Sequence, residues 1–244
     1  MLAGTSILTR PHLIQRMVNG WLLQCADKSY SAEFSDDFSR HPKGKSYRFE
    51  LRKGDVWVTC YSAEPSFRSE INTDDYVSVG STQWYGFSLF IPKDFPIEDN
   101  RLVMGQWWSR SKISMGEVPK SPPLSQDFRN GWFKIRVRHS VDRVFKQADA
   151  PKETIYETKH LPLGAWNDFI YQIKWSNGSN GLINVWLNGK QVASYRGPVG
   201  YNDDIGPTFK FGLYRDATDK TEIIYYDEIR RGSSFQEVDP SILR

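Results

Sequence analysis

The 244-residue chain has room for one large domain or two small ones, because domains run to roughly 100–200 residues and a single β-sandwich often reaches about 250. With 25% charged and 39% hydrophobic residues it can build a core, and an obligately disordered chain is excluded; aromatics are abundant at 14%, with 9 Trp and 12 Tyr. Lys and Arg outnumber Asp and Glu by only 32 to 29, short of what a dedicated nucleic-acid binder carries, and no stretch approaches the roughly 18 apolar residues of a membrane helix.

Helical periodicity is nearly absent, with at most a short helix around residues 8–17. The apolar run Trp21-Leu22-Leu23 follows the turn-like pair Asn19-Gly20 and lacks a small-residue cleavage site, so it reads as a first strand rather than as part of a signal peptide. Period-two alternation then dominates, through residues 47–52, 85–91, 102–108, 132–138, 169–175, 183–187, 208–215 and 221–229. Turn signals separate these runs, among them Lys53-Gly54-Asp55, Asn130-Gly131, Asn177-Gly178 and Gly206-Pro207. Asn188-Gly189 between INVWL and KQVASY is the strongest hairpin signal, because both residues tolerate the positive φ of a two-residue primed turn. With no repeat or linker, residues 1–244 are expected to form a single all-β domain, an antiparallel two-sheet β-sandwich of jelly-roll type. Cys25 and Cys60 are too few for a disulfide framework and sit in no C-x-x-C pair; one bridge and two thiols both remain open.

In a sandwich each strand shows one face to the core and one outward, so parity sorts the residues. Phe209, Phe211 and Leu213 are expected inward, which leaves Lys210, Gly212 and Tyr214 together on the other face. Likewise Phe133, Ile135 and Val137 face in, and Lys134, Arg136 and Arg138 form an outward row of positive charge, read either as a solvated strand or as a seat for a polyanion. Gln106 and Trp108 share a face opposite Trp107. Arg68 and Glu70 project together, as a structural ion pair or as an Arg held by Glu to receive a carboxylate.

The ordered pieces YRFELRKGD (47–55), FRSEI (67–71), WYGFSLFIPKDFP (84–96), VMGQWW (103–108), PPLSQDFRNG (122–131), WNDFIYQIKWS (166–176), VWLNGKQV (185–192), GPTFKFGLYRD (206–216) and YYDEIRRG (225–232) resemble a group of polysaccharide lyases, the heparin lyase I-like and glucuronan lyase-like proteins. The resemblance implies a concanavalin A-like jelly roll that cleaves a uronic-acid polysaccharide by β-elimination, leaving an unsaturated sugar at the new end. In related lyases a tyrosine on the matching strand serves as acid and sometimes also as base, which the resemblance maps onto Tyr214; Gln106, Arg68 and Lys210, on the faces sorted above, are the candidates for neutralising the uronate carboxylate as negative charge develops. Glu70, Trp108, Lys134, Arg136, Arg138 and Arg215 are expected to bind substrate, and a tyrosine that acts as base at neutral pH asks for cations such as Lys210 or Arg215 beside it.

Some relatives carry a histidine in a Gln-x-His pattern, where this chain has Trp108; His12, His41, His139 and His160 lie outside the motifs, which favours a tyrosine-centred mechanism. Trp84, Tyr85, Trp107 and Trp108 could stack on sugars, but alternation turns half of them to the core; Trp166, Trp175 and Trp186 are read as packing residues. No cofactor and no metal is expected for catalysis; Asp203-Asp204 and Asp216/Asp219 leave room for a structural calcium without the ligand spacing of a dedicated site. The partner is expected to be an anionic polysaccharide, with no nucleic acid or membrane, acting on a monomer in an extracellular or periplasmic setting. Two alternatives compete: a non-catalytic carbohydrate-binding module on the same sandwich, and a glycoside hydrolase, for which the E-x-D-x-x-E strand signature is missing.

Overall fold

The computed structural model describes residues 17–18, 21–24, 28–56 and 66–242. Cys25, Cys60, His12 and the helix expected before Met17 lie outside the described residues. The strands are β1 (Met17–Val18), β2 (Trp21–Gln24), β3 (Ala32–Ser35), β4 (Ser46–Leu51), β5 (Phe67–Asn72), β6 (Thr82–Phe90), β7 (Leu102–Trp108), β8 (Leu124–Arg129), β9 (Trp132–Arg138), β10 (Lys152–Thr158), β11 (Trp166–Lys174), β12 (Leu182–Leu187), β13 (Lys190–Arg196), β14 (Thr208–Arg215) and β15 (Glu222–Gly232), followed by one helical turn, α1 (Phe235–Val238). They form an eight-stranded sheet, in the order β1-β2-β5-β14-β7-β8-β9-β10, packed on a seven-stranded sheet, in the order β13-β12-β11-β6-β15-β4-β3. Every ladder between these strands is antiparallel, and chain neighbours such as β5 and β6 lie in opposite sheets, so this is a jelly-roll sandwich.

Local chemistry explains the hairpins. Asn188 and Gly189 have φ of 50° and 76°, and Asn130 and Gly131 have 49° and 74°; each pair closes a two-residue loop, with Leu187 opposite Lys190 and Arg129 opposite Trp132. Positive φ at both central residues gives a turn whose twist matches the strands it joins.

The alternation read in the sequence is borne out by the packing. Phe209, Phe211, Leu213, Phe133, Ile135, Val137 and Trp107 are all at most 3% exposed and belong to one core between the sheets. Phe87 meets Phe169, Tyr171, Phe209 and Tyr226 at ring-centroid separations of 5.3–5.9 Å. Much of the aromatic excess is therefore core, where each ring brings a large apolar area. Tyr85 and Trp175 also face inward, whereas Trp84 lies on the outer side of the seven-stranded sheet, its ring 5.7 Å from Trp186 and capped by Phe235. Neither Trp84 nor Tyr85 is on the face that carries the candidate site.

Candidate active site

The outer face of the eight-stranded sheet gathers the residues that parity had placed there. Register sets them in rows. Asn72 is opposite Lys210, Lys210 opposite Gln106, Gln106 opposite Ser125 and Ser125 opposite Arg136. In the next row Arg68 is opposite Tyr214, Tyr214 opposite Val103, Val103 opposite Asp127 and Asp127 opposite Lys134. Although they point away from the core, Glu70, Gln106 and Lys210 are only 0%, 2% and 3% exposed, so this part of the face is recessed.

Glu70 is the hub. It accepts a 2.5 Å hydrogen bond from Gln106 Nε2 and lies 3.1 Å from Arg68 Nε. Gly212, opposite Glu70 with φ of 129°, lets β14 approach β5 closely; a Cβ there would fall 2.3 Å from the Ser69 carbonyl oxygen and 2.9 Å from the Phe49 ring. The Gln106 amide has a second N–H to offer. Glu70 has no exposed surface of its own and ties Gln106 and Arg68 together.

Tyr214 is half-buried, with the Arg68 guanidinium carbon 3.9 Å and the Arg101 carbon 4.3 Å from its ring centroid. Arg101 also binds Asp216 at 2.7 Å, and its pKa is raised: burial pulls it down, but Tyr214 and Asp216 outweigh that. Lys210 Nζ sits 3.9 Å over the Trp108 ring, and no carboxylate of the described residues is within ion-pair distance of it. Burial drives its pKa from 10.5 down to about 7; Arg68 adds to the fall, while Glu70 and Asp74 oppose it. Two buried acceptors beside this cluster, Gln24 Oε1 and Ser125 Oγ, have no partner among the described residues, as a surface built to meet polar groups of a ligand would have.

The positive row on β9 is less available than its sequence suggests. Lys134 is bound to Glu157 at 2.7 Å and Arg136 to Asp127 at 2.6 Å, so both charges are compensated. Arg138 donates to the Pro122 carbonyl oxygen at 3.2 Å and has its pKa lowered by burial. Arg215 is a correction. It follows Leu213 onto the inner side, 1% exposed, where it lies 3.2 Å from Glu222 and donates to the carbonyls of Lys220 and Arg52. The cations against Tyr214 are Arg68 and Arg101, and Arg101 was not anticipated.

The histidines stay apart from the cluster. His41 meets Glu228 of the other sheet, His139 forms a bridge with Gly200, and His160 is exposed after β10. The aspartates considered for calcium are engaged by cations: Asp203 by Lys120, Asp204 by Lys112 and Arg143, Asp216 by Arg101, Asp219 by Lys220. Glu117 closes that loop cluster, 2.9 Å from Lys120 and 2.8 Å from Arg143. Among the described residues no group of three His, Cys, Asp or Glu side chains is placed to hold a metal ion.

Comparison with solved structures gives the same sandwich. The endo-β-1,4-glucuronan lyase of the fungus Trichoderma reesei superposes with a TM-score of 0.76 at 19% identity, over 91% of this chain and 95% of that one. The family 7 alginate lyase A1-II′ gives a TM-score of 0.60 at 13% identity, over 87% and 91%, and the family 7 alginate lyase AlgAT5 gives 0.55 at 15%, over 86% and 85%. No curated protein sequence matches significantly. The family model described as polysaccharide lyase matches residues 17–230, nearly the whole described chain, and the protein therefore belongs to the polysaccharide lyase family, enzymes that break carbon–oxygen bonds in polysaccharides.

Proposed function

We propose that the protein cleaves a uronic-acid polysaccharide, such as a glucuronan, by β-elimination on the outer face of the eight-stranded sheet, with Tyr214 as the proton-transfer residue. The observation that carries this reading is the recessed cluster in which Gln106 on β7, Arg68 on β5 and Lys210 on β14 itself share the face with Tyr214. Such donors suit a carboxylate whose negative charge grows when the neighbouring C5 proton is removed. Gln106 offers an N–H, Arg68 a guanidinium and Lys210 an ammonium whose charge an arriving carboxylate favours. Tyr214, as the phenolate, takes the C5 proton, the C4–O bond breaks as the C4=C5 double bond forms, and the phenol so formed gives that proton to the departing glycosidic oxygen, which regenerates the phenolate. Arg68 and Arg101 stabilise the negative charge that passes through the phenolic oxygen. The scheme calls on no cofactor. A polymeric substrate supports an extracellular or periplasmic site of action.

The test is ultraviolet absorbance of the unsaturated uronate product with glucuronan, alginate and glycosaminoglycans as substrates. At least one polymer should yield the band, and Tyr214→Phe should lower the rate by about 10²-fold or more. Saturable binding with no product from any polymer would return the binding-module alternative; saturated reducing ends would mean hydrolysis.

A further inference from the structure

At the far corner of the same face, Trp132 opens β9. Its parity is that of Lys134, Arg136 and Arg138, since Phe133 between them is fully buried in the core. The ring is half-buried, with Lys134 Nζ 5.2 Å and Lys159 Nζ 5.0 Å from its centroid. Lys134 is already paired with Glu157, but Lys159, exposed just after β10, has no carboxylate partner among the described residues. Lys134 also ends the row that contains Tyr214, by way of Val103 and Asp127. At about 4.8 Å per strand, the three steps from β14 to β9 put this corner roughly 14 Å from Tyr214, more than one sugar away.

We propose that Trp132, Lys134 and Lys159 form a distal subsite that takes a uronate residue of the polymer remote from the bond being cut, the sugar stacking on the indole and its carboxylate turned to Lys159. The chemistry is that of the partners: an indole offers a flat apolar face to a pyranose, and an ammonium without a counterion offers a charge to a carboxylate. Glu157 beside Lys134 makes Lys159 the cation that matters. The inference rests on the lyase reading, and the two are tested separately.

For wild type, Trp132→Ala, Trp132→Phe and Lys159→Ala, kcat/KM is measured on a long uronate polymer and on the shortest oligosaccharide that wild type cleaves. The polymer-to-oligosaccharide ratio should fall roughly three- to tenfold in Trp132→Ala. It should fall less in Trp132→Phe, which keeps a ring, and the loss in Lys159→Ala should shrink in high salt. An unchanged ratio in Trp132→Ala, whether both substrates suffer equally or neither does, overturns the subsite. If wild type cleaves none of the polymers, the lyase reading fails instead. Calorimetric affinity for a uronate hexasaccharide then decides the subsite: equal binding by wild type and Trp132→Ala overturns it.

Discussion

Replacing Lys210 with Met removes a charge that the fold holds at a cost. The side chain is 3% exposed and its amine rests on Trp108, so burial displaces its pKa from 10.5 to about 7. At 1.36 kcal/mol per pH unit, that displacement caps the cost of ionising Lys210 in the folded protein at about 5 kcal/mol. The sign follows from linkage. Above about 10.5 the amine is neutral in both folded and unfolded chains and costs nothing; as pH falls, the unfolded chain binds the proton first, and by about pH 7 the penalty is fully present. Lys210→Met, close in volume and uncharged, should therefore be more stable than wild type by a few kcal/mol near neutral pH, with the gain vanishing towards pH 10. In the same variant kcat/KM should fall by about 10²–10³, the usual loss when one group that stabilises developing negative charge is removed. Denaturant unfolding across this pH range and the absorbance assay measure both. Wild type should also take up as much as one proton when a uronate oligosaccharide binds near pH 8, because the incoming carboxylate recharges the amine; calorimetry in buffers of different ionisation enthalpy reads this directly. A Lys210→Met protein that is less stable than wild type, by an amount independent of pH, would refute the reasoning, since it would mean that the amine is already compensated.

Gly212→Ala should destabilise the protein by about 1–3 kcal/mol and remove activity, because φ is 129° and the new Cβ would press on the Ser69 carbonyl oxygen and Phe49, displacing the strands that hold Gln106 to Glu70; thermal melting and the product assay check it. Glu117→Gln should cost about 3 kcal/mol at neutral pH by leaving Lys120 with Asp203 alone. Burial raises the Glu117 pKa, but the Lys112 N–H, Lys120 and Arg143 outweigh it and hold it below 4.5, so the contribution exists above that value and the wild-type and Glu117→Gln stabilities should converge as pH falls through the acid range.

Alternation was enough to place Lys210, Tyr214, Gln106 and Arg68 on one face, because the inward residues of β5 and β14 are plainly apolar and the register shift in β14 between Phe211 and Tyr214 leaves its alternation intact. It failed where the period breaks. In β7, Leu102, Met104 and Trp107 all join the core, so an irregularity between Val103 and Gly105 resets the parity. Counting back from Gln106 puts Arg101 on the wrong side, although Arg101 reaches Tyr214. Arg215 is the opposite case: its parity with Leu213 pointed inward, and its charge suggested a substrate contact. The buried Glu222 resolves the conflict, and nothing local to either residue announces a pair formed between β14 and β15.

The β8 and β10 strands explain the remaining discrepancy, and they link fold to electrostatics. β8 reads LSQDFR, polar on both faces: Ser125 and Asp127 look outward, while Gln126 turns inward and donates to the Tyr171 hydroxyl at 2.7 Å. A glutamine satisfied in the core by a partner far along the chain hides the period-two pattern. β10 is an edge strand with a bulge between Thr154 and Tyr156, largely exposed, so it needs no apolar face. These two strands carry Asp127 and Glu157, the carboxylates that neutralise Arg136 and Lys134. A reading that misses both strands therefore also overcounts the positive charge beside them. With those pairs in place, Lys210 at the recess, Arg138 on β9 and Lys159 at the corner are the cations of the face left without a carboxylate partner among the described residues. On the proposed lyase reading, an anionic polymer would meet separate charged points instead of a continuous basic strand.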